Sequence, residues 1–123
     1  MIIGAHFLLY SEDPAADRAF FRDILGFRSV DAGEGWLIFA RPPAELGVHP
    51  GDAKFVQPHG DQRLLGAALY LMCDDLSSFV RLFKTNDIDC SPFAEAEWGI
   101  VTTIRLPSGG RLGLYQPKHP TAF

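Results

Sequence analysis

The stretch Asp13–Phe27, with the sequence DPAADRAFFRDILGF, decides the fold of this chain of 123 residues. Asp13 is a good helix N-cap, and Pro14 suits the first helical position. Apolar residues then recur with helical spacing and predict one buried face: Ala16, Phe20, Phe21, Ile24 and Leu25. Gly26 provides a left-handed stop, so the stretch predicts one short amphipathic helix.

The same arrangement returns 62 positions later in the chain. Five identities support this offset: Gly4 with Gly66, Ala5 with Ala67, Leu9 with Leu71, Asp13 with Asp75, and Phe21 with Phe83. The second helix has Asp74 or Asp75 as its cap, an apolar face of Leu76, Phe79 and Phe83, and a left-handed stop at Asn86. An internal repeat of this kind predicts two similar modules.

Each module is predicted to have the order β-α-β-β-β. In the first module the predicted strands are 3–11, Phe27–Asp31, Trp36–Arg41 and Ala44–His49, with a turn at 32–35. In the second they are Leu64–Cys73, Ile88–Phe93, Gly99–Leu106 and Arg111–Gln116, with a turn at 107–110. We therefore expect a single domain over 1–123, with module 1 at about 1–50, a polar connector at 51–63 and module 2 at about 64–118.

Composition and charge exclude several classes of protein. The net charge is −4 and no two basic residues are adjacent, which argues against a nucleic-acid-binding surface. No apolar run approaches the roughly 20 residues that cross a bilayer, so no membrane partner is expected. Two cysteines are too few for a disulfide framework, which favours a reducing, cytoplasmic setting. Aromatic residues make up 12% of the chain, enough to fill a core and also to line a cavity.

These motifs together resemble the vicinal oxygen chelate superfamily, which includes glyoxalase I, the bleomycin- and fosfomycin-resistance proteins and extradiol dioxygenases. The resemblance covers nearly the whole chain and is carried by Gly4-Ala5-His6, Asp13-Pro14, the run 20–27, Leu106-Pro107-Ser108-Gly109-Gly110 and Leu114-Tyr115-Gln116-Pro117. It implies an α+β fold in which two βαβββ modules form a curved, incompletely closed barrel. It also implies a ligand site on the concave face, and commonly a homodimer.

Many members of this superfamily bind a divalent metal with one residue from each of four strands. His6, seven residues before Asp13, matches the first position, and Glu45 is the best match for a second, with His49 on the same face of its strand. The other two positions carry Ala68 and Gly113, which have no donor atom. A catalytic metal needs about three protein ligands, so we expect no metal, with His6, Glu45 and His49 as weak candidates.

Strand alternation predicts which side chains line the concave face. If His6 and the Ala68 position point inward, every second residue along the same strands does too. The predicted cleft contains His6, Leu8, Tyr10, Trp36, Glu45, His49, Tyr70, Met72, Trp98, Arg111 and Tyr115. Aromatic walls with a few polar groups are typical of a small-molecule site. The alternative is that Tyr70, Met72 and Tyr115 simply fill the barrel.

Three functions are compatible with this sequence. The leading prediction is a metal-free or weakly metal-binding homodimer that binds a small, partly aromatic molecule. Cationic planar ligands would gain there from stacking and cation–π contact. The second is an enzyme: a glyoxalase-type lyase or a dioxygenase with His6 and His49 as ligands and Glu45 as base, or a cofactor-independent isomerase that uses Glu45 or His6 as its base. The third is a structural or regulatory homodimer without a ligand.

Overall fold

The computed structural model describes residues 6–48 and 56–122. They form two compact units: residues 6–42 with 105–110, and the described residues of 43–104 with 111–122. The two helices are α1, Pro14–Asp23, and α2, Leu76–Thr85. The strands are β1 Ser29–Asp31, β2 Leu37–Phe39, β3 Val56–His59, β4 Gln62–Leu65, β5 Tyr70–Met72, β6 Ala94–Ala96, β7 Gly99–Arg105 and β8 Arg111–Pro117. No helix among the described residues is long and apolar enough to cross a membrane.

In the first unit, the predicted helix signals are confirmed. The Asp13 side chain accepts a hydrogen bond from the Ala16 N–H at 3.1 Å, Pro14 opens α1, and Gly26 has a φ of +70°. The predicted buried face is wrong in part, because Ile24 is exposed and the buried residues of α1 are Phe20 and Asp17. A buried carboxylate was not expected there, and one of its partners, Ser108, lies 91 positions along the chain.

Asp17 fixes the turn at 107–110 to the start of α1. The Ser108 N–H and hydroxyl donate to its carboxylate at 3.1 and 2.8 Å, and the Ser11 hydroxyl donates at 2.7 Å. The turn itself closes through the Leu106 N–H and the Gly110 carbonyl at 2.8 Å. Burial of Asp17 is tolerated because three donors replace the water it loses.

Several predicted strands of the first module are wrong. Residues 6–11, the described part of the predicted first strand, lie outside any strand, and their apolar side chains are about half exposed. Residues 44–48 are also outside any strand, and His49 lies outside the described residues. The strands over 27–31 and 36–41 are present in shorter form as the antiparallel pair β1 and β2, with Val30 opposite Ile38.

The predicted connector carries an element of its own. β3 and β4 form an antiparallel hairpin with Gln57 opposite Leu64, and Gly60 in the turn has a φ of +61°. The sequence did not predict this hairpin because Pro58 lies within it, and proline in a run of residues argues against a strand other than one at a sheet edge. The predicted single strand Leu64–Cys73 is correspondingly wrong: it is divided between the end of β4 and the separate strand β5.

The larger sheet has the order β5-β8-β7-β6 and packs one face against α2. Its core consists of Leu76, Val80 and Phe83 from α2 together with Ile104, Leu112 and Leu114 from β7 and β8. The prediction placed Phe79 on the inner face of α2, but Phe79 is partly exposed and Val80 is buried in its place. Asp75 is the N-cap, and the Gln116 side chain accepts from the Leu76 N–H at 2.9 Å.

Two smaller corrections concern the segment after α2. Asn86 caps the helix but has a φ of −101°, and the left-handed residue is Asp87, with a φ of +56°. The predicted strand Ile88–Phe93 is reduced to one bridge between Cys90 and Ile104. The chain there still runs along β7, because the Ser91 N–H donates to the Thr103 carbonyl at 2.9 Å.

Candidate functional site: an aromatic face on the larger sheet

The face of the larger sheet opposite α2 carries most of the predicted cleft residues of the second unit. β5 and β8 are parallel, with Tyr70 beside Gly113 and Met72 beside Tyr115. Alternation along β8 directs Leu112 and Leu114 into the core, so Arg111, Gly113 and Tyr115 are on the other face. We call this surface the aromatic face, and define it by Tyr70, Met72, Trp98, Gly99, Arg111, Gly113, Tyr115 and His119.

Tyr70 covers Gly113. A Cβ atom at position 113 would overlap the Tyr70 ring, so the ring occupies the space in which a longer side chain on β8 would project. The ring is 47% exposed, which leaves its outer surface open to a partner. The absence of a side chain at Gly113 thus allows the two strands to present an aromatic ring at the position where the resemblance expected a metal ligand.

Tyr115 makes the second close approach of a ring to a glycine. Its ring lies where a Cβ atom of Gly99 would be, and its hydroxyl donates to the Trp98 carbonyl at 3.0 Å. The ring centroids of Tyr115 and Trp98 are 5.7 Å apart, within the range of favourable aromatic pairs. The hydrogen bond to the Trp98 backbone holds the Tyr115 ring in place. Trp98 is 54% exposed, so part of its ring faces solvent.

The segment after β8 adds groups that the sequence did not single out. The His119 ring lies 5.9 Å from the Tyr115 ring, and the Lys118 N–H donates to the Trp98 carbonyl at 3.0 Å. His119 was not among the predicted site residues, because only the folded chain brings its ring beside that of Tyr115. Gly99 was likewise missed as a site residue, because only the folded sheet brings it under Tyr115.

Glu45 contributes negative charge near this cluster. Its carboxylate accepts a hydrogen bond from the Ala122 N–H. Burial raises the pKa of the Tyr115 hydroxyl, and the Glu45 carboxylate raises it further. Among the residues described, Glu45 forms no ion pair, so its charge is available to a cation that approaches Tyr115.

Arg111 lies at the other end of β8 and is held in place. Its guanidinium pairs with Asp89 at 3.0 Å and donates to the Thr103 hydroxyl at 3.2 Å. Lys118 similarly forms an ion pair with Glu95. Both cations on this part of the surface are therefore partnered.

Of the other predicted cleft residues, His49 lies outside the described residues, and four belong to the first unit: His6, Leu8, Tyr10 and Trp36. His6, Leu8 and Tyr10 are exposed in the segment that precedes α1. The Arg18 guanidinium carbon lies 4.5 Å from the Trp36 ring centroid, so one face of this tryptophan is already covered by a cation. Arg18 and Trp36 thus form, within the chain, a cation–π contact of the type that we expect between the protein and a cationic ligand.

The donor chemistry of these residues does not fit the expected metal site. Ala68 and Gly113 have no donor atom, and the Tyr70 ring covers Gly113. No group of three or more histidine, cysteine, aspartate or glutamate side chains that could hold a metal ion occurs in the described part of the chain.

Cys73 lies directly beside the aromatic face but is poorly suited to act as a nucleophile. Burial, with the neighbouring Asp74 and Asp75 carboxylates, raises the pKa of its thiol to about 11. The thiol points at the Tyr115 carbonyl, 3.7 Å away. The protonated form therefore dominates at neutral pH, and the thiol is a poor nucleophile.

Comparison with solved structures identifies the fold. The chain is similar to TnmS3, an antibiotic binding protein from Streptomyces sp. CB03234, with a TM-score of 0.64, 19% identity and coverage of 96% of this chain and 99% of that one. It is also similar to lactoylglutathione lyase from Agrobacterium tumefaciens, with a TM-score of 0.58, 18% identity and 94% of each chain covered.

A third similar structure is a member of the glyoxalase/bleomycin resistance protein/dioxygenase superfamily from Sphaerobacter thermophilus DSM 20745, with a TM-score of 0.54, 19% identity and coverage of 91% and 93%. No protein-family model and no curated protein sequence matches the chain. The α+β fold expected from the motifs is thus confirmed as the fold of this superfamily. A binding protein and a lyase share this fold, so the fold alone does not assign a function.

Proposed function

We propose that this chain, which has the glyoxalase/bleomycin resistance/dioxygenase fold, binds a small planar cationic molecule on its aromatic face and needs no metal to do so. The observation that carries the proposal is the pair of tyrosine rings laid over glycines, Tyr70 over Gly113 and Tyr115 over Gly99. Rings fixed in this way lose little conformational freedom when a planar ligand stacks on them.

The charge of the surroundings favours a cation over an anion. Glu45 is near Tyr115 without a cationic partner among the described residues, whereas Arg111 and Lys118 are each paired with a carboxylate. Aromatic faces also attract cations through their quadrupole. The antibiotic binding protein with the same fold is consistent with a binding function, although its ligand is not thereby assigned to this chain.

The metal-dependent alternatives have less support. A lyase or dioxygenase of the type that the resemblance implies would need donors at positions that carry Ala68 and Gly113. Restoring a carboxylate at Gly113 would require the Tyr70 ring to move. We further propose a homodimer that works in a reducing cytoplasm, as the sequence predicted.

Fluorescence titration tests the proposed binding. In a Trp36→Phe variant, Trp98 is the only tryptophan, and a planar cation such as aminoacridine should quench it saturably. Tyr115→Ala and Tyr70→Ala should each weaken the affinity by about threefold to tenfold, because each removes one stacking partner. Absence of saturable quenching would overturn the binding proposal.

The charge preference has its own control. Glu45→Gln should weaken binding of aminoacridine by about threefold, since a partly screened charge pair contributes under about 1 kcal/mol. The same variant should leave the affinity for an uncharged anthracene derivative unchanged. Glu34→Gln, which removes a carboxylate from the exposed turn of the first unit, should affect neither ligand. Equal effects of Glu45→Gln and Glu34→Gln would mean that Glu45 is not part of the site.

A further inference from the structure

A concave surface lies in the same unit, apart from the aromatic face and beside the C-terminal half of α2. It is a groove of about 420 Å³ lined by Val80, Lys84, Cys90, Ser91, Pro92 and Phe93. This volume falls in the range of about 300–1,000 Å³ that small-molecule sites occupy. None of its lining residues belongs to the aromatic face, and Val80 belongs to the helix that packs on the opposite face of the sheet.

One wall of the groove is fixed by hydrogen bonds to β7. The Ser91 hydroxyl accepts from the Thr103 N–H at 2.8 Å, and the Thr102 hydroxyl donates to the Ser91 carbonyl at 2.6 Å. Cys90 pairs with Ile104 in a single bridge. The segment 90–91 is thus held on the sheet while α2 is held by its buried face, so the groove is formed without a ligand and little ordering is needed for binding.

The groove is mostly apolar, and Lys84 is the one charged residue in its lining. Phe93 is 45% exposed and forms the largest apolar surface in it. Lys84 is the charged lining residue, and no ion pair involving its ammonium group occurs among the described residues. The nearby Asp89 carboxylate is held by Arg111 at 3.0 Å. Burial and then Asp89 raise the pKa of the Cys90 thiol, so no thiolate competes for the ammonium.

We propose that this groove is a second ligand site, which binds a small molecule with a flat apolar body and a single carboxylate. The body contacts Phe93, Pro92 and Val80, and the carboxylate pairs with the Lys84 ammonium. Covering Phe93 removes apolar surface from water, and the single unpartnered cation selects an anion over a neutral molecule of the same shape. The preference is therefore opposite in charge to that of the aromatic face.

Cys90 offers a direct reporter of occupancy because it lines the groove. In a Cys73→Ser variant, where Cys90 is the only thiol, saturating naphthoate should slow modification by a disulfide reagent by at least about threefold, since thiol reactivity depends on access. In the converse Cys90→Ser variant, the reaction of Cys73 should not change. No protection of Cys90 up to millimolar naphthoate, or equal protection of both thiols, would overturn the proposal.

Matched charge variants test the role of Lys84. Lys84→Gln should weaken naphthoate binding by about threefold, as expected for a partly exposed charge pair, and should leave the affinity for the uncharged analogue naphthamide unchanged. Arg81→Gln removes a cation from the same helix outside the groove and should leave both affinities unchanged. A Lys84→Gln protein that binds naphthoate as tightly as the parent, or an equal loss in Arg81→Gln, would contradict the proposed contact. The groove and the aromatic face share no residues. The naphthoate experiments therefore test the groove whether or not aminoacridine binds to the aromatic face.

Discussion

At the scale of single residues, one feature organises each unit: a buried carboxylate in the first, and a pair of glycines covered by tyrosine rings in the second. Asp17 is 6% exposed and has three donors, none of which is on its own helix. Gly113 and Gly99 are required for a different reason, because the tyrosine rings occupy the space of their missing side chains. We therefore expect the stability of the fold to fall when the Asp17 carboxylate is removed or when a methyl group is added at Gly113.

Asp17→Ala should lower the free energy of unfolding by about 2–3 kcal/mol, because it leaves the Ser108 N–H and two hydroxyl groups without their charged acceptor. The measurement is chemical denaturation in urea. Asp23→Ala is the matched control on the same helix: Asp23 pairs with Arg22 in solvent, so its loss should change stability by no more than about 0.5 kcal/mol. Equal effects of the two variants would show that Asp17 does not fix the turn.

A double-mutant cycle tests the contact between Tyr70 and Gly113. Gly113→Ala alone should destabilise by about 1–3 kcal/mol, because the new methyl group overlaps the Tyr70 ring. In a Tyr70→Ala background the same change should cost little, which gives a coupling energy of the same size in the denaturation experiment. A cost of Gly113→Ala that is independent of residue 70 would contradict the proposed steric reason.

At the scale of elements, the larger sheet separates two surfaces of opposite character. Alternation along β7 and β8 directs Ile104, Leu112 and Leu114 towards α2 and leaves Tyr115 and Arg111 on the aromatic face. This part of the structure follows from the sequence of β8, where the alternation is local and Leu112 and Leu114 occupy alternate positions. The contact between β7 and the segment at 90–91 could not be predicted from this alternation. It depends on the hydroxyl groups of Ser91 and Thr102, which are eleven residues apart in the sequence.

Thr102→Val should destabilise the chain by about 1–2 kcal/mol, because it removes the donor to the Ser91 carbonyl at a site that is 2% exposed. Thr103→Val is the neighbouring control on the other face of β7. Its hydroxyl accepts from Arg111, which keeps its ion pair with Asp89, so the cost should be smaller, at about 0.5 kcal/mol. The two variants are compared by denaturation in urea. A larger loss of stability in Thr103→Val than in Thr102→Val would contradict the proposed role of the Thr102 hydroxyl.

At the scale of the whole molecule, the segment before α1 is the least expected feature. The sequence predicts that residues 3–11 form a buried strand, yet the side chains of Phe7, Leu8, Leu9 and Tyr10 are about half exposed and residues 6–11 belong to no strand. Contiguous exposed apolar residues are typical of a surface that another molecule covers. They provide a physical reason for the homodimer that we propose.

Sedimentation or light scattering should give a mass about twice the 13.6 kDa of one chain. Leu9→Glu should shift the mass towards that of one chain, because a charge would be buried without a partner in the covered surface. Leu82→Glu changes a leucine of similar exposure on α2 and should leave the mass unchanged. A parent protein that has the mass of a single chain at all concentrations would contradict the homodimer.

The sequence by itself determined what depends on neighbours within a few residues. Both helices, their aspartate caps, the Gly26 stop and the alternation of β8 arise from local backbone preferences and side-chain periodicity. Only the tertiary structure decided which distant residues meet: Ser108 reaches Asp17 across 91 positions, and parallel pairing sets the Tyr70 ring over Gly113. Such pairs depend on strand register and on the space that a glycine leaves, and neither quantity is encoded in local periodicity.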